Sequence, residues 1–423
     1  MNFFARLYYE LRKAVKAVRL YLVIAGPGIV VMVADNDAGG ITTYAATGAR
    51  YGYHLIWFLL LLIPVAYYVQ EMTVRLGAVT KRGHAEAIFA GFGAFWGWFS
   101  LIDLFILDWM TLVTEFVGMT TSLEIFGIPA WLTTVSVILL LGTIMLNGRY
   151  WTWEKIALLF CALNLVYIPG AFMVHPSVSR IVGEGFQPWK LAGQMDGQLF
   201  FFLMANIGTT IAPWMLFFQQ SAVVDKGMLE KDIPWGRFDT WLGSVLTIVV
   251  AVFIVIVTGT VLRGHEIESA AQASAQLQES HRWVGTFMAI GLFDAGLLGA
   301  ICISLASSWA FGEIFGWAHS LNTNIREAPW FYATYFITLV TAGVVVLIPG
   351  APLVLITLFV QVVAVTLLPA ALVFLILLLN DKENMGEYAN TPLQNWIGGT
   401  IVGAIIILST LYGLSVIFPD WLA

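Results

Sequence analysis

The chain has 423 residues, 59% of them hydrophobic and only 11% charged, with a mean hydropathy of +0.84. Soluble domains carry about 25% charged residues, so this composition excludes a soluble globular enzyme, and no catalytic residue or cofactor is expected. The net charge of -6 is small and dispersed, which leaves nothing for nucleic acid to bind.

The first twenty residues carry Arg6, Arg12, Lys13, Lys16 and Arg19 on a segment that can form an amphipathic helix. No short apolar core with a small-residue cleavage site follows, so residues 1–20 read as a cytoplasmic arm and not as a signal peptide. Beyond it, apolar runs of the length needed to cross a bilayer, about 20 residues, recur to the end of the chain. Eleven are expected, at 21–49, 54–75, 94–123, 129–146, 154–174, 198–224, 239–262, 284–308, 330–349, 353–380 and 395–417. The chain thus reads as an all-α polytopic membrane protein embedded in a lipid bilayer. With the amino terminus inside, fifteen of the twenty Lys and Arg residues lie on the cytoplasmic side. Arg50, Arg180, Lys190, Arg263 and Arg282 face out, an asymmetry that satisfies the positive-inside rule for a cell-membrane protein.

Spans one and six are interrupted near their middles, by Asp35-Asn36-Asp37-Ala38-Gly39-Gly40 and by Gly208-Thr209-Thr210-Ile211-Ala212-Pro213. Backbone freed at membrane depth must line a cavity or be buried in protein. Paired interruptions in two halves of a chain point to a transporter's binding site. The breaks are five spans apart, and an odd offset makes the halves antiparallel. This predicts a first repeat over 21–174, an external loop over 175–197 and an inverted second repeat over 198–380. A loop and an eleventh helix fill 381–423.

Ionisable residues inside a membrane span are costly and mark functional sites. Those here are acidic: Asp35 and Asp37 in span one, Asp103, Asp108 and Glu115 in span three, and Asp294 in span eight. No Lys or Arg lies deep enough to pair with them, so they must be protonated, hydrated or neutralised by a cation. Asp108 and Glu115, seven residues apart, share a helix face two turns apart. This suits an acidic wall along an ion path, or two carboxyls bonded to neighbouring helices. The six histidines fall in loops or at span ends, so neither a His metal cluster nor a His proton relay is available at mid-membrane. Cys161 and Cys302 have no metal-ligand spacing and read as buried small residues.

Taken together, Gly26-Pro27-Gly28, Asp37-Ala38-Gly39-Gly40, Gly48-Ala49-Arg50-Tyr51-Gly52-Tyr53, Gln70 with Arg75-Leu76-Gly77-Ala78-Val79-Thr80, Glu115-Phe116-Val117-Gly118, Gly148-Arg149 with Glu154, Gln361-Val362-Val363, Leu368-Pro369 and Met385-Gly386-Glu387 resemble the Nramp divalent-metal transporters over most of the chain. The resemblance implies a LeuT-like fold of two inverted five-helix repeats plus one helix. It also implies a metal site built from an Asp-Pro-Gly-Asn stretch in span one and an Ala-x-x-Met-Pro-His stretch in span six. Here the aspartate is kept as Asp37, but Ala38 replaces the proline and Gly40 the asparagine. In span six Thr209 replaces the alanine, Ala212 the methionine and Trp214 the histidine, while Pro213 is kept; a second family histidine appears as Gln219.

A thioether favours transition metals over Mg²⁺, and Mg²⁺ prefers oxygen ligands and keeps several waters. The pattern is therefore similar to the Nramp-related magnesium transporters. It implies a largely hydrated Mg²⁺, with Mn²⁺ tolerated, as a substrate between the breaks. Asp37 would supply the charge, and carbonyls near Ala34 and Thr209, the Thr209 hydroxyl and the Gln361 amide the remaining oxygens. Gly40 and Ala212 would give room, while Asp108, Glu115 and Asp294 would attract cations by field alone. With Trp214 and Gln219 unable to titrate, coupling to protons is not expected. A monomer suffices, because the inverted repeat completes the path within one chain. The alternatives are a proton-coupled Mn²⁺ or Fe²⁺ importer, an organic-substrate transporter of similar architecture, and a membrane sensor that transports nothing.

Overall fold

The computed structural model describes residues 26–146, 149–189, 191 and 196–418. The basic arm expected over residues 1–20 lies outside them. Among the described residues there are helices, turns and no strands. Span one is split into Pro27–Ala34 and Ala38–Tyr51, and span six into Gly197–Gly208 and Pro213–Lys226. Spans two to four are Ile56–Thr80, Ala94–Glu124 and Ala130–Leu146. Span five runs as Tyr150–Leu163, a 3₁₀ turn Asn164–Val166, and Tyr167–Met173. Spans seven to eleven are Ile233–Val261, Arg282–Phe315, Pro329–Val346, Leu353–Leu379 and Pro392–Ile417.

Eight helical stretches are by themselves long and apolar enough to cross a membrane. The other three spans fall short for physical reasons. Span one is cut into short halves, the second rich in glycine and threonine, span three carries Asp103, Asp108 and Glu115, and span four has 17 residues. Short helices lie where connections were expected, among them His84–Phe92, Val178–Gly185 and Ala270–Ser280. Exposed tryptophans near helix ends, among them Trp131, Trp151, Trp283, Trp330 and Trp396, are placed as interfacial anchors.

Burial separates centre from rim. The most apolar stretch of span eight is 89% buried, that of span eleven 17%. Spans one to ten fall into two sets of five, each opening on a broken helix, and span eleven follows them.

The face at which span one begins is tied together by charge. Asp239 of span seven accepts from the backbone N–H groups of Gly28 (2.7 Å) and Ile29 (3.3 Å), satisfying the amino end of the first half of span one. Glu154 of span five and Lys226, closing span six, form a 2.9 Å ion pair with side chains 2% and 3% exposed. Glu71 is shared by Arg75 (3.2 Å) and Arg237 (2.8 Å), and Arg75 also donates to Asn390 and to the Tyr388 carbonyl (2.9 Å each). These links join the two repeats to the segment before span eleven.

Candidate metal-ion site

The span-one break is built by its own polar residues. Asp37 has extended backbone and caps the second half-helix, accepting from the Gly40 N–H at 2.6 Å. Asn36 donates to the Thr247 carbonyl at 3.2 Å, and the Thr247 hydroxyl donates to the Met32 carbonyl, anchoring the break to span seven. In span six the hydroxyls of Thr209 (3.1 Å) and Thr210 (2.8 Å) turn back to the Asn206 carbonyl. Pro213 then opens the second half-helix, where a missing N–H costs nothing. Tyr44, one helical turn beyond Gly40, donates to the Thr209 carbonyl at 3.0 Å and ties the breaks together. Two half-helices thus end close to each other, at Ala34 and Gly208. Their carboxyl ends carry the partial negative charge that favours a cation.

Gln361 of span ten completes the arrangement. Its Nε2 lies where a Gly39 side chain would stand, in contact with Asp37, and its backbone abuts Gly208. That Nε2 has no hydrogen-bond partner. A side chain at Gly39 would displace this amide.

Glu115 is closer than expected. Its Oε2 accepts from the Ala38 N–H at 3.1 Å, its carboxyl faces that of Asp37, and its Oε1 has no partner. The expectation that it acts by field alone is corrected: Glu115 touches the break. The driving contact is the free N–H at the start of the second half-helix. Asp37 and Gln361 are each 2% exposed and Glu115 is fully buried.

The room assigned to Gly40 is also corrected. A Cβ there would lie 2.9 Å from the Asp35 carbonyl, 3.3 Å from Asp37 Oδ1 and 3.5 Å from Thr209 Cβ. What the glycine permits is close approach of the two breaks, and no open space remains beside it. The missing thioether at Ala212 has a neighbour: Met215, one turn on, accepts from the Ala212 N–H through its sulfur at 3.2 Å.

The remaining candidates lie apart from the breaks. Asp108 accepts from Ser307 of span eight at 2.7 Å. Asp294 faces Asn164 and Tyr167 of span five. Asp108 and Glu115 thus share the face of span three that packs on span eight, two turns apart, whereas Asp294 stands at the span-five interface. Trp214 packs on Phe218, and Gln219 donates to Thr240 at 2.8 Å. One histidine outside the spans, His84, is buried and bonded to Gln220 at 2.8 Å. Burial lowers its pKa to about 4, so it is neutral near pH 7. Among the described residues, no three His, Cys, Asp or Glu side chains cluster closely enough to hold a metal ion. A cation at the breaks would therefore draw on amide, hydroxyl and backbone oxygens beside Asp37. Tyr44, Met215 and Asn206 were missed by sequence reasoning. Only Tyr44 left a signal, its spacing of four from Gly40 on one helix face.

A family profile described as natural resistance-associated macrophage protein-like matches residues 28–415. The divalent metal cation transporter MntH of Caldanaerobacter subterraneus subsp. tengcongensis is 24% identical over 92% of each chain. MntH of Brucella suis is 26% identical over 91% of this chain and 86% of its own. Among solved structures, the Eremococcus coleocola manganese transporter superposes with a TM-score of 0.77 at 20% identity, covering 94% of this chain and 87% of that one. MhsT, solved with L-phenylalanine, gives 0.58 at 13% identity, covering 94% and 98%. The fold is thus that of LeuT-like transporters.

Proposed function

The chain belongs to the Nramp family of divalent-metal transporters, and on that footing we propose that it carries Mg²⁺, with Mn²⁺ as a second substrate, without moving protons. The observation that carries this reading is the meeting of two broken helices around a single capping carboxylate, Asp37, with Gln361 and Thr209 beside it. Asp37 and Thr209 offer hard oxygen donors, suited to an ion that keeps part of its water shell, and the Gln361 amide stands against Asp37. Ala212 offers no thioether, and the Met215 sulfur is engaged by the Ala212 N–H. Trp214 and Gln219 hold packing positions and do not titrate.

In this reading the protein is a monomer in the cell membrane with its amino terminus inside. Alternating access comes from rocking one bundle against the other about the fixed breaks. The charged ties between Glu154 and Lys226 and between Asp239 and Gly28 close the inner face. They would have to part for release. Influx of a divalent ion is driven by the membrane potential, about 4.6 kcal/mol per 100 mV.

One observation favours a second reading, proton-coupled import of Mn²⁺, the metal in a structural neighbour's name: Glu115 sets another carboxyl against Asp37. The test is Mg²⁺ influx into liposomes holding the purified protein, under a potential set by a potassium gradient. Saturable influx that Asp37→Asn removes is expected. Influx of Mn²⁺ alone, or Mg²⁺ influx unchanged by Asp37→Asn, would overturn the proposal.

A further inference from the structure

Span eight presents different faces to two different partners. Gly296 and Gly299 lie against Glu115 of span three, beside the metal-ion site. Gly291 and Asp294, three residues apart and thus on one face, lie instead against span five, where Tyr167 packs over Gly291. At this second face span five abandons the α-helix for the 3₁₀ turn Asn164–Val166. A tightened turn inside a long helix is a recurrent mark of a functional position.

The polar groups gathered there make no hydrogen bond of good geometry, although the Asn164 amide lies beside the Asp294 carboxyl. Both carboxylate oxygens of Asp294, both polar atoms of the Asn164 amide and the Tyr167 hydroxyl are buried without a hydrogen bond. Asn164 is fully buried, and Tyr167 and Asp294 are 3% and 4% exposed. Buried polar atoms are rarely left unsatisfied, and a cluster of them calls for an ion or water. Along the two helices the nearest basic residues are Lys155 and Arg282, more than two turns away from Asn164 and Asp294.

We propose that Asp294, Asn164 and Tyr167 form a second cation site, between spans five and eight, that takes a monovalent ion of sodium's size. A single carboxylate is balanced by a single positive charge, and among the described residues no second carboxyl faces Asp294 as Glu115 faces Asp37. The donors are carboxylate, amide and phenol oxygens, which suit a hard cation. This site is separate from the metal-ion site and does not depend on the assignment of Mg²⁺ as substrate. An ion here braces span five against span eight at the point where span five is interrupted.

The test is the melting temperature of the full-length protein in lipid nanodiscs, without divalent metal, in sodium chloride against choline chloride at equal ionic strength. Sodium should raise it saturably, by about 1.5–2 °C at about ten times the dissociation constant. The rise should vanish in Asp294→Asn and shrink in Asn164→Leu, which keeps the carboxylate and serves if the first variant does not fold. It should persist in Asp37→Asn, so a failure of the transport reading leaves this result standing. Identical melting in sodium and choline, or a sodium shift that survives both Asp294→Asn and Asn164→Leu, would overturn the proposal.

Discussion

The two helix breaks are built on opposite principles. In span one the second half-helix is capped by a carboxylate, Asp37, with a second acid, Glu115, on the next N–H. In span six the corresponding half-helix begins at Ala212-Pro213 with no ionisable group, its first N–H engaged by the Met215 sulfur. Both preceding halves end with carbonyls near the same place, so both favour a cation by dipole. Only span one adds formal charge. The difference assigns affinity to one break and geometry to the other, and substitutions in the two should fail differently.

Asp37→Asn removes a charge-assisted interaction, nominally about 1.5–3 kcal/mol. It should lower apparent metal affinity by more than ~10-fold, measured as the concentration dependence of influx. Thr209→Val removes a hydroxyl already committed to the Asn206 carbonyl, so its effect should stay within several-fold. Equal losses in the two variants would erase the contrast between the breaks. Lys226→Met tests the tie that closes span six against span five. Breaking one side of a buried pair should cost about 3–5 kcal/mol of stability. The double variant with Glu154→Leu should recover most of it in thermal unfolding.

Ala212→Met puts a thioether back at the neutral break and should move the Mn²⁺ over Mg²⁺ preference several-fold toward Mn²⁺ in competition flux. Gly40→Asn is the poorer test, because its Cβ would press on the Asp35 carbonyl. The smallest effect belongs to the face opposite the buried ties, where Arg263, Arg180 and His54 surround Glu184. Burial alone would raise its pKa, but the Arg263 hydrogen bond and the neighbouring positive charges outweigh that and hold it below its ordinary value of 4.5. A lowered acid pKa contributes stability that is present above about pH 4.5 and lost as pH falls through the folded value. Glu184→Gln should therefore lower the melting temperature slightly at pH 7 and converge with the parent at acid pH.

The architecture was legible because membrane depth leaves the backbone few options. Apolar runs of span length had to be helices, and glycine, proline and polar residues inside two of them had to mark breaks. Asp37 was legible for the same reason, as a charge in a place that rejects charge. Gln361 was reached only through resemblance, since one amide in an apolar helix carries no direction. The face of Asp294 was not legible: whether span eight turns it toward span three or span five depends on packing that periodicity does not encode. The cluster joining Glu71, Arg75, Arg237 and Asn390 was invisible too, because bonded partners in it lie as much as 315 positions apart. Gly40 shows the opposite failure: a small residue suggests space, yet the chain uses it for contact.

The most direct measurement records Mg²⁺ and pH inside the same liposomes while the potential draws metal inward. The account predicts saturable Mg²⁺ influx with no acidification and no response to an opposing pH gradient. Internal acidification in proportion to the metal taken up would contradict it and place a proton on the Asp37–Glu115 pair.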